Sequence, residues 1–149
     1  IRNDPEAADA VFGAPWQVTM VGLDVTYKVF MSDAHLAEYA RIDHPLAQHI
    51  ARIVPFYRDF YHARLGMEGI YVHDSSAIAY LIDPSLFTVE SWPIRVDAGD
   101  GIGRGKTWPA TGHLDRPSAQ PWRDRPRINV CVDVQGDKAV ELELKTVRG

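Results

Sequence analysis

The sequence predicts an α/β fold, because capped helical segments and β-branched strand segments alternate along the chain. Segment 128–134, "INVCVDV", alternates its apolar side chains and is typical of a buried strand. Segment 44–66 instead repeats apolar side chains at helical spacing and ends in glycine. With 149 residues, 46% of them hydrophobic, the chain is long enough for one domain with a substantial core.

The first part of the chain predicts a helix, a strand region and a second helix. Residues 4–13 form the first helix, with Asp4 as its N-cap. Residues 16–30 are rich in β-branched and aromatic side chains, which indicates a strand that is interrupted at Gly22 and leads into a loop or a second short strand. Residues 32–43 begin with a serine cap and predict the second helix.

The middle of the chain predicts three helical pieces. Pro55 removes a backbone donor inside 44–66, so we expect this segment to divide or kink into two helices. Residues 67–72 are expected to form a connecting loop. Asp74 then provides the N-cap of a short helix over 75–82.

The last part of the chain predicts strands over 88–99, 104–108 and 128–134. Residues 109–127 are rich in proline and indicate a surface connection. Residues 136–149 fit both a strand and a helix, and their apolar stripe favours a helix.

Composition excludes several classes of function. The formal net charge of −4 lacks the basic stripe that a polynucleotide partner requires. No run of 18 apolar residues is present, which argues against a membrane span and favours a cytoplasmic protein. Cys131 stands alone in an apolar strand and is expected to be a buried thiol.

Most of the histidines do not form a metal-binding motif. His35, His44, His49 and His62 lie on predicted helices without the two-histidine spacing of a zinc helix. We expect these four side chains to be solvated or to cap helices.

His73 and Asp74 stand together at the start of a short apolar helix. A carboxylate at a helix N-terminus stays ionised and suits a hard divalent cation such as calcium. An imidazole beside it suits proton delivery to a leaving group near neutral pH. An ordinary helix cap with a partly exposed histidine accounts for the same two residues, and their spacing does not decide between these readings.

Tyr57 and Tyr61 are four residues apart and therefore share one helix face. They either pack in the core with their hydroxyls reaching water, or line a pocket for a planar or sugar ligand.

The order of these elements resembles that of the inosine–uridine-preferring nucleoside hydrolases. The matching segments are "DPEAADAVFGAPWQVTMVGLDVTYKV", "FYRDFY", "GIYVHDSSAIAYLIDPSLF" and "RGKTW", which lie within residues 4–109. The resemblance implies an open, mostly parallel Rossmann-like sheet flanked by helices. It also implies calcium-dependent hydrolysis of the N-glycosidic bond of ribonucleosides to free base and ribose, in purine and pyrimidine salvage.

The resemblance assigns roles residue by residue. Asp74 matches a calcium (Ca2+) ligand, and His73 matches the histidine that protonates the departing base. Tyr57 and Tyr61 fall on a mobile helix that lines the base pocket. Calcium holds the 2′ and 3′ hydroxyls of the sugar and the attacking water in this family.

The chain also departs from the family. An aspartate cluster of the form Asp-x-Asp-x-Gly-x-Asp-Asp, which provides most calcium ligands, is absent, and so is a ribose-binding block of Asn, Glu, Phe and Asn. Residues 1–149 therefore resemble the C-terminal portion of a single nucleoside hydrolase domain. The expected partners are the N-terminal half of the same protein, a ribonucleoside and further copies of the protein, and the isolated chain is expected to be inactive.

A second interpretation assigns no catalysis to the chain. It is then a non-catalytic α/β interaction domain or an inactive fragment, in which His73 and Asp74 only cap a helix.

Overall fold

The structure, a computed structural model, describes all residues from Ile1 to Gly149. Six α-helices are present: α1 Pro5–Gly13, α2 Leu23–Thr26, α3 Asp33–Tyr39, α4 Pro45–Leu65, α5 Asp74–Ile82 and α6 Gly136–Arg148. Six strands are present: β1 Thr19–Val21, β2 Phe30–Ser32, β3 Gly69–Tyr71, β4 Phe87–Val96, β5 Thr107–Pro109 and β6 Arg127–Val134. Short 3-10 helices occur at Pro84–Leu86 and Pro117–Trp122.

The strands form two sheets. The larger has the order β1-β6-β4-β5 and is mostly parallel, with β5 antiparallel to β4. Strands β2 and β3 form a separate antiparallel pair, in which Met31 lies opposite Ile70. The α/β architecture with a mostly parallel, helix-flanked sheet confirms the predicted fold class.

The first of two compact units comprises Ile1–Met20 and Val89–Cys131. Within this unit Asp9 joins helix α1 to strand β4, because its carboxylate accepts hydrogen bonds from the Val96 amide at 2.8 Å and from Arg95 at 3.1 Å. Arg125 donates to the same carboxylate. Partial burial by itself would raise the pKa of the Asp9 carboxyl. The three hydrogen-bond donors stabilise the carboxylate more strongly, so the pKa lies below its usual value.

The second compact unit comprises Val21–Thr88 and Val132–Gly149. Helices α3 and α4 pack together and against β3, while α6 packs against α5 and β2. The buried core of this unit includes Val25, Val29, Met31, Ile70, Ala79, Val140 and Leu144. This packing fixes the position of the loop between β3 and α5, where His73 lies.

Several local predictions are confirmed. Asp4 caps α1 by accepting from the Ala7 amide at 2.9 Å, and Ser32 forms a capping box with His35 at the start of α3. His44 caps α4. Gly66 ends α4 with a φ of 66°, a left-handed conformation that glycine adopts without steric cost. The C-terminal segment is a helix, as its apolar stripe favours.

Burial of the cysteine is also confirmed. Cys131 lies on β6 and is almost fully buried, and this burial raises the pKa of its thiol to about 11. Its thiolate is therefore scarce at neutral pH. None of the helices combines the length and apolar character needed to cross a membrane.

Three local predictions are wrong. Pro55 does not divide its segment: α4 runs unbroken through it, because packing against α3 and β3 offsets the lost hydrogen bond and the crowding by the proline ring. Residues 67–72 contain strand β3, which is too short to show alternation in sequence and is defined by its pairing with β2. The third error concerns only residues 23–26, where a short helix, α2, lies between the strand that ends before Gly22 (β1) and a second short strand (β2).

Asp74 is also not the N-cap of α5. His73 occupies that position without a side-chain capping hydrogen bond, and Asp74 is the first residue inside the helix. The chain is already helical at His73, with φ of −88° and ψ of −64°, so the helix starts one residue earlier than the sequence predicts.

Candidate active site

His73 is held on both sides of its ring. It lies just after strand β3, separated from it by Val72, and stands at the start of α5. Its Nδ1 lies 2.7 Å from the Thr26 hydroxyl of α2, and its Nε2 lies 3.1 Å from the Tyr61 hydroxyl of α4. Three elements of the second unit therefore fix the orientation of one imidazole.

Aromatic side chains surround this imidazole. The Tyr27 ring meets it edge to face with centroids 5.2 Å apart, and the Tyr71 ring lies 6.0 Å away. Burial lowers the pKa of His73, and the negative charge of Asp74 opposes this shift only in part. The neutral imidazole is therefore the main form of His73 at neutral pH.

Tyr57 and Tyr61 differ in exposure although they share a helix face. Their hydroxyls lie 3.2 Å apart and their rings pack edge to face at 5.0 Å. Tyr61 is only 8% exposed, whereas Tyr57 is 39% exposed. Burial, together with the hydrogen bond to Tyr57, raises the pKa of Tyr61 to about 12, so Tyr61 remains a protonated hydroxyl at neutral pH.

Asp74 presents a free carboxylate. It is exposed in the first turn of α5, forms no capping hydrogen bond and takes part in no ion pair with another side chain. A helix N-terminus favours such a charge, and the charge is free to bind a cation. A plain side-chain cap therefore does not describe Asp74.

The chain on its own does not complete a metal site. No group of three or more histidine, cysteine, aspartate or glutamate side chains is placed to hold an ion. Calcium prefers six to eight oxygen ligands, of which Asp74 offers at most two. Asp74 therefore fits one ligand of a calcium shell and does not form a site by itself.

The sequence predicts His73, Asp74, Tyr57 and Tyr61 as site residues and does not point to Thr26. The structure brings His73, Tyr61 and Tyr57 into one hydrogen-bonded series, with Asp74 beside His73 in the chain. Thr26 lies 47 residues before His73. No local pattern links the two residues, and residues 16–30 were expected to be strand or loop.

Comparison with known proteins identifies the family. Residues 1–141 match the sequence profile of the family described as "Inosine-uridine preferring nucleoside hydrolase". Probable uridine nucleosidase 2 of Arabidopsis thaliana is 34% identical over 142 residues, which cover 95% of this chain and 44% of that protein. The inosine-uridine preferring nucleoside hydrolase of Crithidia fasciculata is 38% identical over 104 residues, which cover 70% of this chain and 33% of that protein.

Structural comparison agrees. A plant nucleoside hydrolase, PpNRh1, superposes with a TM-score of 0.91 at 26% identity over 97% of this chain and 45% of that one. The chain thus spans less than half the length of these relatives. By sequence and by fold, it belongs to the inosine-uridine preferring nucleoside hydrolase family.

Proposed function

We propose that the protein containing these residues hydrolyses the N-glycosidic bond of ribonucleosides to release free base and ribose. The observation that carries this proposal is the imidazole of His73, held at both nitrogens in a chain of this family. The relatives above are named for uridine or for inosine and uridine. Their names support ribonucleosides as the substrate class.

His73 is the proposed acid for the leaving group. A departing base anion is a poor leaving group, and a proton delivered to its nitrogen as the C–N bond breaks lowers the barrier. The two hydrogen bonds to His73 hold the ring in place, which reduces the entropic cost of that transfer. The Nε2 atom faces Tyr61, and Tyr61 with Tyr57 is proposed to contact the base.

Asp74 is the proposed calcium ligand on this chain. A bound calcium would hold the sugar hydroxyls and acidify a water molecule. Asp74 supplies one carboxylate to that site, and its lack of any other partner supports this role. The remaining ligands are proposed to come from an N-terminal half, in a cytoplasmic protein that forms homo-oligomers.

The role of His73 is tested by changing the leaving group. In the full-length protein, His73→Ala should slow hydrolysis of uridine or inosine by about 100- to 10,000-fold, the usual contribution of general acid catalysis. Hydrolysis of p-nitrophenyl riboside should fall far less, because its leaving group needs no proton.

His49→Ala is the matched control, since His49 is exposed on α4 and does not contact His73. This variant should keep both activities. Equal losses for both substrates in His73→Ala would remove His73 from the acid role. A wild-type protein that cleaves neither substrate, with calcium present, would reject the proposed function.

A further inference from the structure

Thr26 is a buried polar residue, only 3% exposed. It lies at the end of the short helix α2, and its Oγ1 is 2.7 Å from Nδ1 of His73. A hydroxyl withdrawn from water must be matched to its partners, because an unmade hydrogen bond there is costly. The partners of the Thr26 hydroxyl therefore decide whether this hydroxyl donates to Nδ1 of His73 or accepts from it.

The neighbours of Thr26 favour the arrangement in which its hydroxyl accepts a hydrogen bond from His73. Its hydroxyl has a second partner, the Leu23 carbonyl at 3.4 Å, and a carbonyl only accepts. If Thr26 donates to Leu23, it is free to accept from Nδ1–H of His73. If Thr26 donates to Nδ1 instead, its own lone pairs have no donor. The first arrangement makes two hydrogen bonds at Thr26 and the second makes one.

The arrangement in which Thr26 accepts from Nδ1–H also gives Nε2, on the opposite side of the ring, a suitable partner. With the proton on Nδ1, the lone pair of Nε2 accepts from the Tyr61 hydroxyl at 3.1 Å. Tyr61 in turn accepts from the Tyr57 hydroxyl at 3.2 Å. Donors and acceptors then alternate from Tyr57 to the Leu23 carbonyl, and each bond polarises the next.

We propose that Thr26 is a positioning residue, whose hydroxyl keeps the neutral ring of His73 in the Nδ1–H tautomer and directs Nε2 toward the side where Tyr61 lies. This inference rests on the function proposed above. The reacting ring is the minor form, which has taken a second proton from water at Nε2. As the C–N bond breaks, the base nitrogen keeps both electrons of that bond and takes the Nε2 proton, while a water molecule adds to the sugar carbon and loses a proton to solvent. The ring is left with Nδ1–H already bonded to Thr26, so no rearrangement follows.

A spectroscopic experiment tests the tautomer directly. The full-length protein is labelled with 15N-histidine, and long-range 1H–15N spectra assign His73 by its loss in His73→Gln. We expect wild type and Thr26→Ser to carry the neutral-ring proton on Nδ1. Thr26→Val, which keeps the shape and removes the hydroxyl, should show Nε2–H or a mixture. Wild type with the proton on Nε2 would overturn the inference, and so would an unchanged tautomer in Thr26→Val.

Kinetics provide the second readout. Thr26→Val should lower kcat for uridine or inosine about 10- to 100-fold, the cost that the loss of an orienting partner has at metal-bound histidines. Its effect on p-nitrophenyl riboside should be smaller, and Thr26→Ser should restore most of the activity. A merely structural role predicts equal losses for both substrates, which would contradict the inference.

The controls separate this inference from the proposed function. Thr146→Val removes a hydroxyl that donates to the Leu142 carbonyl on α6 and does not touch His73, so it should change neither readout. If Thr26→Val does not fold, the wild-type tautomer and the Thr26→Ser kinetics still decide. An inactive wild type rejects the proposed function, whereas an active wild type with Nε2–H rejects only the role of Thr26.

Discussion

Two physical effects are relevant to the Asp74 carboxylate, one from its helix and one from the proposed calcium ion. The positive end of the α5 helix dipole stabilises the charge by a few tenths to about 1 kcal/mol whether or not a metal is bound. A calcium ion bound to this carboxylate would stabilise the charge further. It would also explain why the carboxylate is exposed and has no partner in the protein. The two effects are separable because only the second depends on calcium concentration.

Asp74→Ala in the full-length protein should weaken the apparent affinity for calcium by at least about 10-fold, since the affinity of calcium sites depends on the number of charged ligands. The measurement is the rate of nucleoside hydrolysis as a function of free calcium. Asp137→Ala is the matched control, because Asp137 also lies in the first turn of a helix, α6. If Asp74→Ala and Asp137→Ala both keep the calcium dependence of wild type, Asp74 serves only the helix.

The residues of the site differ in how far local sequence predicts them. His73 and Asp74 are adjacent, and Tyr57 and Tyr61 are one helical turn apart, so elementary spacing places each pair together. The contacts of Thr26 and Tyr61 with His73 depend on packing between separate elements. Spacing predicts pairs of residues that are close in sequence, whereas contacts between separate elements are known only from the fold.

Helix α4 shows that local sequence also predicts a secondary-structure element only in part. Its apolar spacing, its start after His44 and its end at Gly66 were all predictable from local chemistry. Its continuity through Pro55 was not, because a local rule gives the cost of a proline but not the packing that offsets it. Strand β3 was missed for a related reason, since only pairing with β2 defines it.

Pro55→Ala should stabilise the middle of α4. Alanine restores an amide that donates to the Ala51 carbonyl and removes the clash of the proline ring, changes worth up to about 3 kcal/mol. Amide hydrogen exchange in α4 should slow by up to about 100-fold relative to wild type. Pro55 is exposed, so the substitution leaves no cavity.

Arg52→Ala is the comparison, because Arg52 is also exposed on α4 but already has a backbone amide. It should change exchange little, since surface substitutions usually stay within about 0.5 kcal/mol. Unaltered or faster exchange in Pro55→Ala would show that the helix is already adapted to proline at this position.

Across the whole molecule, the second unit leaves much apolar surface uncovered. Phe56 on α4 is 86% exposed and Leu81 on α5 is 74% exposed. A cavity of about 420 Å3 opens among α4, α5 and α6, and its lining is mainly aliphatic. Exposed apolar area of this kind usually marks a surface that is covered in the working protein.

A polypeptide limited to residues 1–149 is therefore expected to self-associate, since burial of apolar area stabilises by about 25 cal/mol per Å2. Light scattering during size-exclusion chromatography should show a mass that rises with concentration. Leu81→Glu should reduce this association. Ile102→Glu should not, because Ile102 is exposed on a glycine-rich loop of the first unit. A monomer that unfolds cooperatively and reversibly would show that the uncovered apolar side chains are tolerated in water.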